Sequence, residues 1–226
     1  FGGSATITGA SVGTKQGFGI IKYTGTGGNT TVGHNLGKSP SFIVIKCLDT
    51  ERGDAWRVWH SSLAANERLV LSDTKTKGSS ATLWQNTLPT STVFYLDDDN
   101  RYNSANDDHI AYLWCDIPGL QKFGSYEGGS NPYVELGFRP ALVLFKNIDS
   151  TSNWDFMDAK RDPFNVMTKS IQPNLSNNEY PSEPGLDYLS NGFKLQGSFN
   201  LSNTYIYAAW AEAPSIDLYG GGANAR

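Results

Sequence analysis

Short runs of apolar and β-branched residues recur along this chain between clusters of turn formers, at a spacing that suits strands and leaves little room for helices. In the first half the runs are Gly19–Tyr23, Ser41–Cys47, Ala55–His60, Arg68–Ser72, Ser91–Leu96 and His109–Cys115. In the second they are Lys122–Tyr126, Ala141–Asn147, Trp154–Met157, Asn165–Ser170, Leu186–Leu189, Phe193–Gln196 and Thr204–Ala211. Runs of this length, rich in Val, Ile, Phe, Tyr and Trp, predict strands. The stretches Gly25–Asn29, Asp73–Ser80 and Asp97–Asp108 are polar and full of turn residues, so they predict loops. Ser190-Asn191-Gly192 holds the Asn-Gly pair that two-residue hairpin turns prefer. The one helix candidate is Ser61–Arg68, capped by Ser61 or Ser62, and it is barely two turns long.

The pattern repeats. Leu36-Gly37-Lys38-Ser39-Pro40-Ser41-Phe42-Ile43-Val44-Ile45-Lys46 lies over Leu136-Gly137-Phe138-Arg139-Pro140-Ala141-Leu142-Val143-Leu144-Phe145-Lys146 at a constant offset of 100, and Asp49 and Asp149 keep the register. Phe18-Gly19 and Tyr23 correspond to Phe123-Gly124 and Tyr126, Trp56 to Trp154, and Ile110–Pro118 to Ile206–Pro214. Strands without helices to cover them must bury a face against another sheet. The expected fold is therefore all-β: two tandem antiparallel β-sandwich repeats of a jelly-roll-like kind, with one merged sandwich built by both copies as the alternative. The division expected is a Gly/Ser/Thr-rich connector over residues 1–16, repeat 1 over 17–119, repeat 2 over 120–214 and a tail over 215–226.

Composition narrows the function classes. The 18 basic and 22 acidic residues leave a net charge of −4 over 226 residues, which is wrong for a phosphate-binding surface and argues against nucleic acid as a partner. The longest apolar runs, Phe42–Ile45 and Ala141–Phe145, are far short of a membrane span, and no signal-peptide pattern opens the chain at Phe1. Cys47 and Cys115 read as two small buried hydrophobes of a reduced protein, with a single bridge between them as the alternative.

Candidate chemistry is sparse. Of three histidines, His34, His60 and His109, none sits in a local nucleophile signature, and His34 aligns with Val134 in the second copy, so no enzyme is expected. The loop Asp97-Asp98-Asp99-Asn100, with Asp107-Asp108 beyond, is the most chemical feature: Asp97 and Asp99 are alternate carboxylates that suit Ca²⁺, although the EF-hand glycine and distal glutamate are missing. The solvated turn is the plainer reading of that loop, and no other cofactor is expected. Of six tryptophans, Trp56, Trp114, Trp154 and Trp210 hold positions shared by both copies and read as packing. Trp59 and Trp84 have no counterpart. With Tyr95, Tyr102 and Asp107 beside the acidic loop, they are the candidate ligand contacts, the aromatic faces suiting sugar rings.

The segments Gly17-Phe18-Gly19-Ile20-Ile21-Lys22-Tyr23-Thr24-Gly25-Thr26-Gly27 and Val32-Gly33-His34-Asn35-Leu36-Gly37-Lys38-Ser39-Pro40 carry a family likeness. So do Phe123-Gly124-Ser125-Tyr126 and Leu189-Ser190-Asn191-Gly192-Phe193-Lys194-Leu195. Over roughly residues 17 to 214 the chain resembles the duplicated C-terminal module of tail-fibre and related virion proteins of tailed phages, especially marine ones. It departs from that pattern in the acidity of Asp97–Asp108 and at Cys47 and Cys115. The resemblance implies a virion appendage made in the host cytoplasm. It implies a homo-oligomer, a trimer in the first instance, that touches other virion proteins and a glycan or protein of the bacterial surface, without membrane insertion. Host recognition is the expected function, and a structural virion component, for capsid decoration or fibre assembly, is the alternative. The 226 residues are expected to be the distal part of something longer.

Overall fold

In the computed structural model, residues 1–49, 55–129, 131–196 and 202–213 are described. The chain divides into two compact units, Phe1–Cys115 and Asp116–Arg226. Unit 1 contains β1 (Thr6–Gly13), β2 (Phe18–Thr24), β3 (Thr30–Gly33), β4 (Phe42–Cys47), β5 (Arg57–His60), β6 (Glu67–Val70), β7 (Gly78–Ser79), β8 (Val93–Leu96) and β9 (Asp108–Trp114), with a one-turn helix α1 (Asn100–Asn103). Unit 2 contains β10 (Gln121–Glu127), β11 (Tyr133–Glu135), β12 (Pro140–Asn147), β13 (Trp154–Asp158), β14 (Met167–Ser170), β15 (Tyr180–Leu189), β16 (Gly192–Leu195) and β17 (Thr204–Ala211). The protein is nearly all-β and its sheets are antiparallel.

The two units are one circuit built twice. In unit 1 the sheets run β1-β2-β9-β4-β5-β6-β7 and β3-β8; in unit 2 they run β10-β17-β12-β13 and β11-β16-β15-β14. Adding eight to each strand number carries β2-β9-β4-β5 onto β10-β17-β12-β13 and β3-β8 onto β11-β16. β6 and β14 also correspond: β6 pairs with β5 through Arg57↔Val70 and Val58↔Leu69, while the end of β14 meets β13 through the bridge Phe156↔Ile171. The difference lies in the next strand. β15 is ten residues long and pairs with both β14 and β16. Its counterpart β7 has two residues and pairs only with β6 among the described residues.

Each unit buries its own core, fed by both of its sheets, as sandwich packing requires. In unit 1 Ile21, Ile43, Ile45 and Leu113 of the long sheet meet Val32, Phe94 and Leu96 of the short one. In unit 2 Val143, Phe145 and Tyr207 meet Leu186, Tyr188 and Phe193, with Phe193 edge-on to Phe145 at 5.4 Å and to Tyr207 at 5.6 Å. The two clusters share no residue, which favours two sandwiches over one merged sandwich. Repeated residues do repeated work. Gly37 (φ +74°) and Gly137 (φ +84°) both turn the chain in a left-handed conformation with open space where a Cβ would sit, so conformation rather than room keeps them glycine. Asp49 Oδ2 accepts from the Asp108 amide at 2.6 Å and Asp149 Oδ2 accepts from the Thr204 amide at 2.7 Å, pinning the start of β9 and of β17 alike.

Several expectations need correction. Residues 1–16 are no connector: β1 pairs with β2 from Thr6↔Thr24 to Gly13↔Phe18, with a bulge between Ile7 and Gly9. Half of its residues are exposed and half partly buried. Ile7 and Val12 pack against the unit 1 core, and because the bulge brings these two, five residues apart, opposite Tyr23 and Gly19 of one phase of β2, the simple alternation that would have announced the strand is broken. Before it, the Ala5 amide donates to Thr31 O at 2.9 Å and Ala5 enters the core. No helix forms at Ser61–Arg68; Ser62 N donates to His60 Nδ1, and Glu67 already begins β6. The helical turn falls instead at Asn100–Asn103, inside the expected polar loop. The β15–β16 hairpin loop is Ser190-Asn191, one residue before the Asn-Gly pair, because Gly192 opens β16 opposite Leu189. A Cβ on Gly192 would collide with Val134 O. The 215–226 tail lies outside the described residues. Cys47 and Cys115 are both buried, and no disulfide joins them.

Candidate functional site

The acidic loop is held from inside the fold. Asp97 is 2% exposed, and its Oδ1 accepts from Tyr102 Oη at 2.6 Å and from the Asp99 amide at 3.0 Å. Burial pushes its carboxyl above the ordinary value, while the Tyr102 hydroxyl and the Asp99 amide pull it back. Asp99 caps α1, accepting from the Arg101 amide at 3.0 Å, and its other oxygen lies 3.3 Å from Arg101 and 3.9 Å from Arg68. Asn103 Nδ2 donates to Asp97 O and Gly28 O, both at 2.6 Å, and Tyr23 Oη donates to Tyr102 O at 2.5 Å. Asp107 accepts from Ser104 Oγ at 2.5 Å, and its carbonyl faces His109 Nδ1 at 3.0 Å. Among the described residues no three His, Cys, Asp or Glu side chains converge as metal ligands; Asp97 and Asp99 are engaged as a buried acceptor and as a cap.

The expected aromatic contacts are distributed differently from a sugar platform. Trp59 and Trp84 are 4% and 3% exposed and belong to the unit 1 core, as does Tyr102. Trp59 points inward because it stands in the same strand phase as its core partner Ile43. Trp84 stacks on Tyr102 at 4.8 Å and donates its indole N–H to Glu67 O at 2.9 Å. Tyr95 alone of the four stays half-buried, on β8 opposite Thr31. Trp84, Gln85 and Asn86 occupy the left-handed region in succession, with φ near +50°. For bulky residues this conformation is costly and marks a place the surrounding structure over-determines. Gln85 supplies part of that hold, its amide donating at 2.8 Å both to Thr30 O on β3 and to Leu96 O on β8.

Two neighbouring clefts open here, and Arg68 and Arg101 line both. The first, about 600 Å³, is walled by Leu83 and Asp97–Arg101 and is acidic. The second, about 470 Å³, lies against β5, β6 and β7 and is basic, with Arg57, Arg68, Arg101 and Lys75 on its walls against the single carboxylate of Asp73. Lys75 and Asp73 pair with each other at 3.2 Å. These arginines were not singled out from sequence. The signal was present: Arg57 sits two residues before Trp59, so a charged residue falls in the inward phase of a strand.

A family profile described as a domain of unknown function, DUF7483, matches residues 2–214. The chain belongs to that family. Because the DUF7483 match begins before β1 and runs past β17, it takes in both copies of the circuit and the edge strand that precedes them. No curated protein and no solved structure matches the chain.

Proposed function

We propose that this DUF7483 protein is a non-enzymatic recognition module of a phage virion, a tail-fibre element that meets a glycan on the bacterial surface. The resemblance of residues 17 to 214 to tail-fibre modules supplies the setting. The observation that carries the reading is the asymmetry between the copies: where unit 2 completes its second sheet with β15, unit 1 has the two-residue β7, the left-handed turn at Trp84–Asn86, and the two clefts. Specificity on a rigid β scaffold commonly sits in such connections. The carboxylates there already serve as hydrogen-bond acceptors for Tyr102 and the α1 amides, a role suited to fixing a surface rather than passing protons. As an appendage the protein acts as a homo-oligomer, a trimer in the first instance, so that several weak sites engage one cell together.

The test is adsorption. The labelled chain should bind host cells saturably and be competed by extracted surface polysaccharide, and a phage lacking it should adsorb poorly. Unchanged adsorption of that phage would sink the reading. Appearance of new reducing ends in the polysaccharide would replace it with a glycan-active enzyme.

A further inference from the structure

Arg57 is the least expected residue in the molecule. It is 7% exposed, and its Nε reaches no hydrogen-bond acceptor among the described residues. Buried guanidinium groups are ordinarily matched by carboxylates, because an unpaired buried charge is among the most expensive features a fold can keep. Here the nearest charges make matters worse: burial first, then Arg68 and Arg101, push Arg57 down to about 10. The one acid helping it, Asp99, is shared between Arg68 and Arg101. Two residues along the same face of β5, the indole N–H of Trp59 also lacks an acceptor. Two orphaned donors on one strand face call for an explanation.

The local geometry shows why the face is open. Arg57 pairs with Val70, and Arg68, two residues before Val70, pairs with Gly78, so all four project to one side of β5-β6-β7. Gly78 adds no side chain there, and β7 ends one residue later. The result is the basic cleft of about 470 Å³, which lies within the ~300–1,000 Å³ usual for small-ligand sites. Its lining also includes the apolar Val70 and the polar Thr76.

We infer that this cleft binds the carboxylate or sulfate group of an acidic saccharide, with Arg57 as the buried contact and Arg68 and Arg101 closing on the same anion from the rim. Guanidinium forks match the planar carboxylate and the sulfate ester geometrically, and a charge-assisted bond in a partly desolvated cleft is strong. The saccharide part of the assignment rests on the recognition reading above; the anion part rests on the arginines alone.

Thermal unfolding of the full chain at constant pH and ionic strength tests it, with methyl glucuronide, a galactose sulfate, inorganic sulfate and neutral methyl galactoside as probes. The acidic sugars should raise the midpoint of the wild type by about 5 °C at ten times their dissociation constant, and the neutral sugar should not. Arg57→Met should raise the midpoint of the free protein, because it removes an unpaired buried charge, and should weaken the acidic sugars roughly tenfold or more. Arg101→Gln, on the half-exposed rim, should weaken them less and serves if the first variant does not fold. No shift with either acidic sugar, or an undiminished shift in both variants, overturns the proposal. An equal shift with inorganic sulfate leaves an anion site and overturns the saccharide assignment. Because the readout uses monosaccharides and purified protein, a positive result stands even where whole-cell adsorption fails, and the two readings fall separately.

Discussion

Arg57 and Asp155 stand on the same rung of the two units: Arg57 faces Ile45 on β4 and Asp155 faces Phe145 on β12, positions the repeat superposes. Duplication has placed a buried cation in one copy where the other holds a carboxylic acid. Both are expensive, and they are expensive at opposite ends of the pH scale. Among the described residues the Asp155 carboxylate accepts one side-chain hydrogen bond, from Gln172 Nε2 at 3.5 Å, and burial pushes its carboxyl up to about 6 against the pull of that bond and of Lys146.

That shift has a definite sign. The folded state holds the Asp155 proton more tightly than the unfolded chain, so its contribution is complete below the unfolded value and is lost as pH rises through about 6. Asp155→Asn, which keeps an acceptor for Gln172, should therefore be more stable than the wild type by on the order of 2 kcal/mol at about pH 8, with the difference vanishing near pH 4. Urea unfolding at the two pH values measures it. An equal difference at both would show that the carboxyl titrates normally.

Tyr102→Phe keeps the stack on Trp84 and removes the hydroxyl that Asp97 accepts at 2.6 Å. Losing a bond to a buried carboxylate should cost about 1.5–3 kcal/mol at neutral pH. Asp97, already raised by burial, rises further in the variant, so the cost should shrink on acidification. Denaturant midpoints across the acid range test the trend.

Most of the scaffold was legible in the sequence, because strands that feed a core must alternate and the alternation occurs twice. Each expected run, from Gly19–Tyr23 to Thr204–Ala211, overlaps an observed strand. What escaped were strands too short or too polar to show an apolar run: β1, which sends only Ile7 and Val12 against the core; β3 and β11, which give their cores Val32 and Val134; and β7, two residues long. The site was half legible. Clustered acids drew attention to Asp97–Asp108 and to Tyr102 beside them, but Arg68, which pairs with Asp99, and the neighbouring Arg57 are brought in by strand pairing, which local composition does not encode. Trp59 and Trp84 seemed free because they lacked counterparts in the second copy; in the fold each copy fills its core with its own large residues, Trp59 standing where unit 2 has Met157.

The paired carboxylates Asp49 and Asp149 offer a matched comparison. Asp49→Ala and Asp149→Ala should each cost about 1 kcal/mol through the lost bond to a strand-opening amide. Hydrogen exchange should quicken at Asp108 in the first variant and at Thr204 in the second, each without effect on the other copy. Quickening in both units from a single change would contradict the separate cores.

Gln85 inverts an ordinary preference. Gln85→Ala deprives Thr30 O and Leu96 O of their donor and should cost about 2 kcal/mol. Gln85→Gly loses the same bonds but relieves the left-handed backbone at φ +54°, so it should be more stable than the alanine variant by about 1 kcal/mol. Thermal midpoints of the two variants decide it; alanine above glycine would mean the turn relaxes.

The left-handed run from Trp84 to Asn86 also bears on the order of assembly. Its conformation is favourable only once Tyr102 is in place under the Trp84 ring and β3 and β8 present their carbonyls to Gln85. Residues 83–86 are thus expected to order after both sheets of unit 1 have met and to loosen first under mild denaturant, with early amide exchange as the sign. Leu83 is a wall of the acidic cleft, so that cleft takes its final shape in the last step of folding.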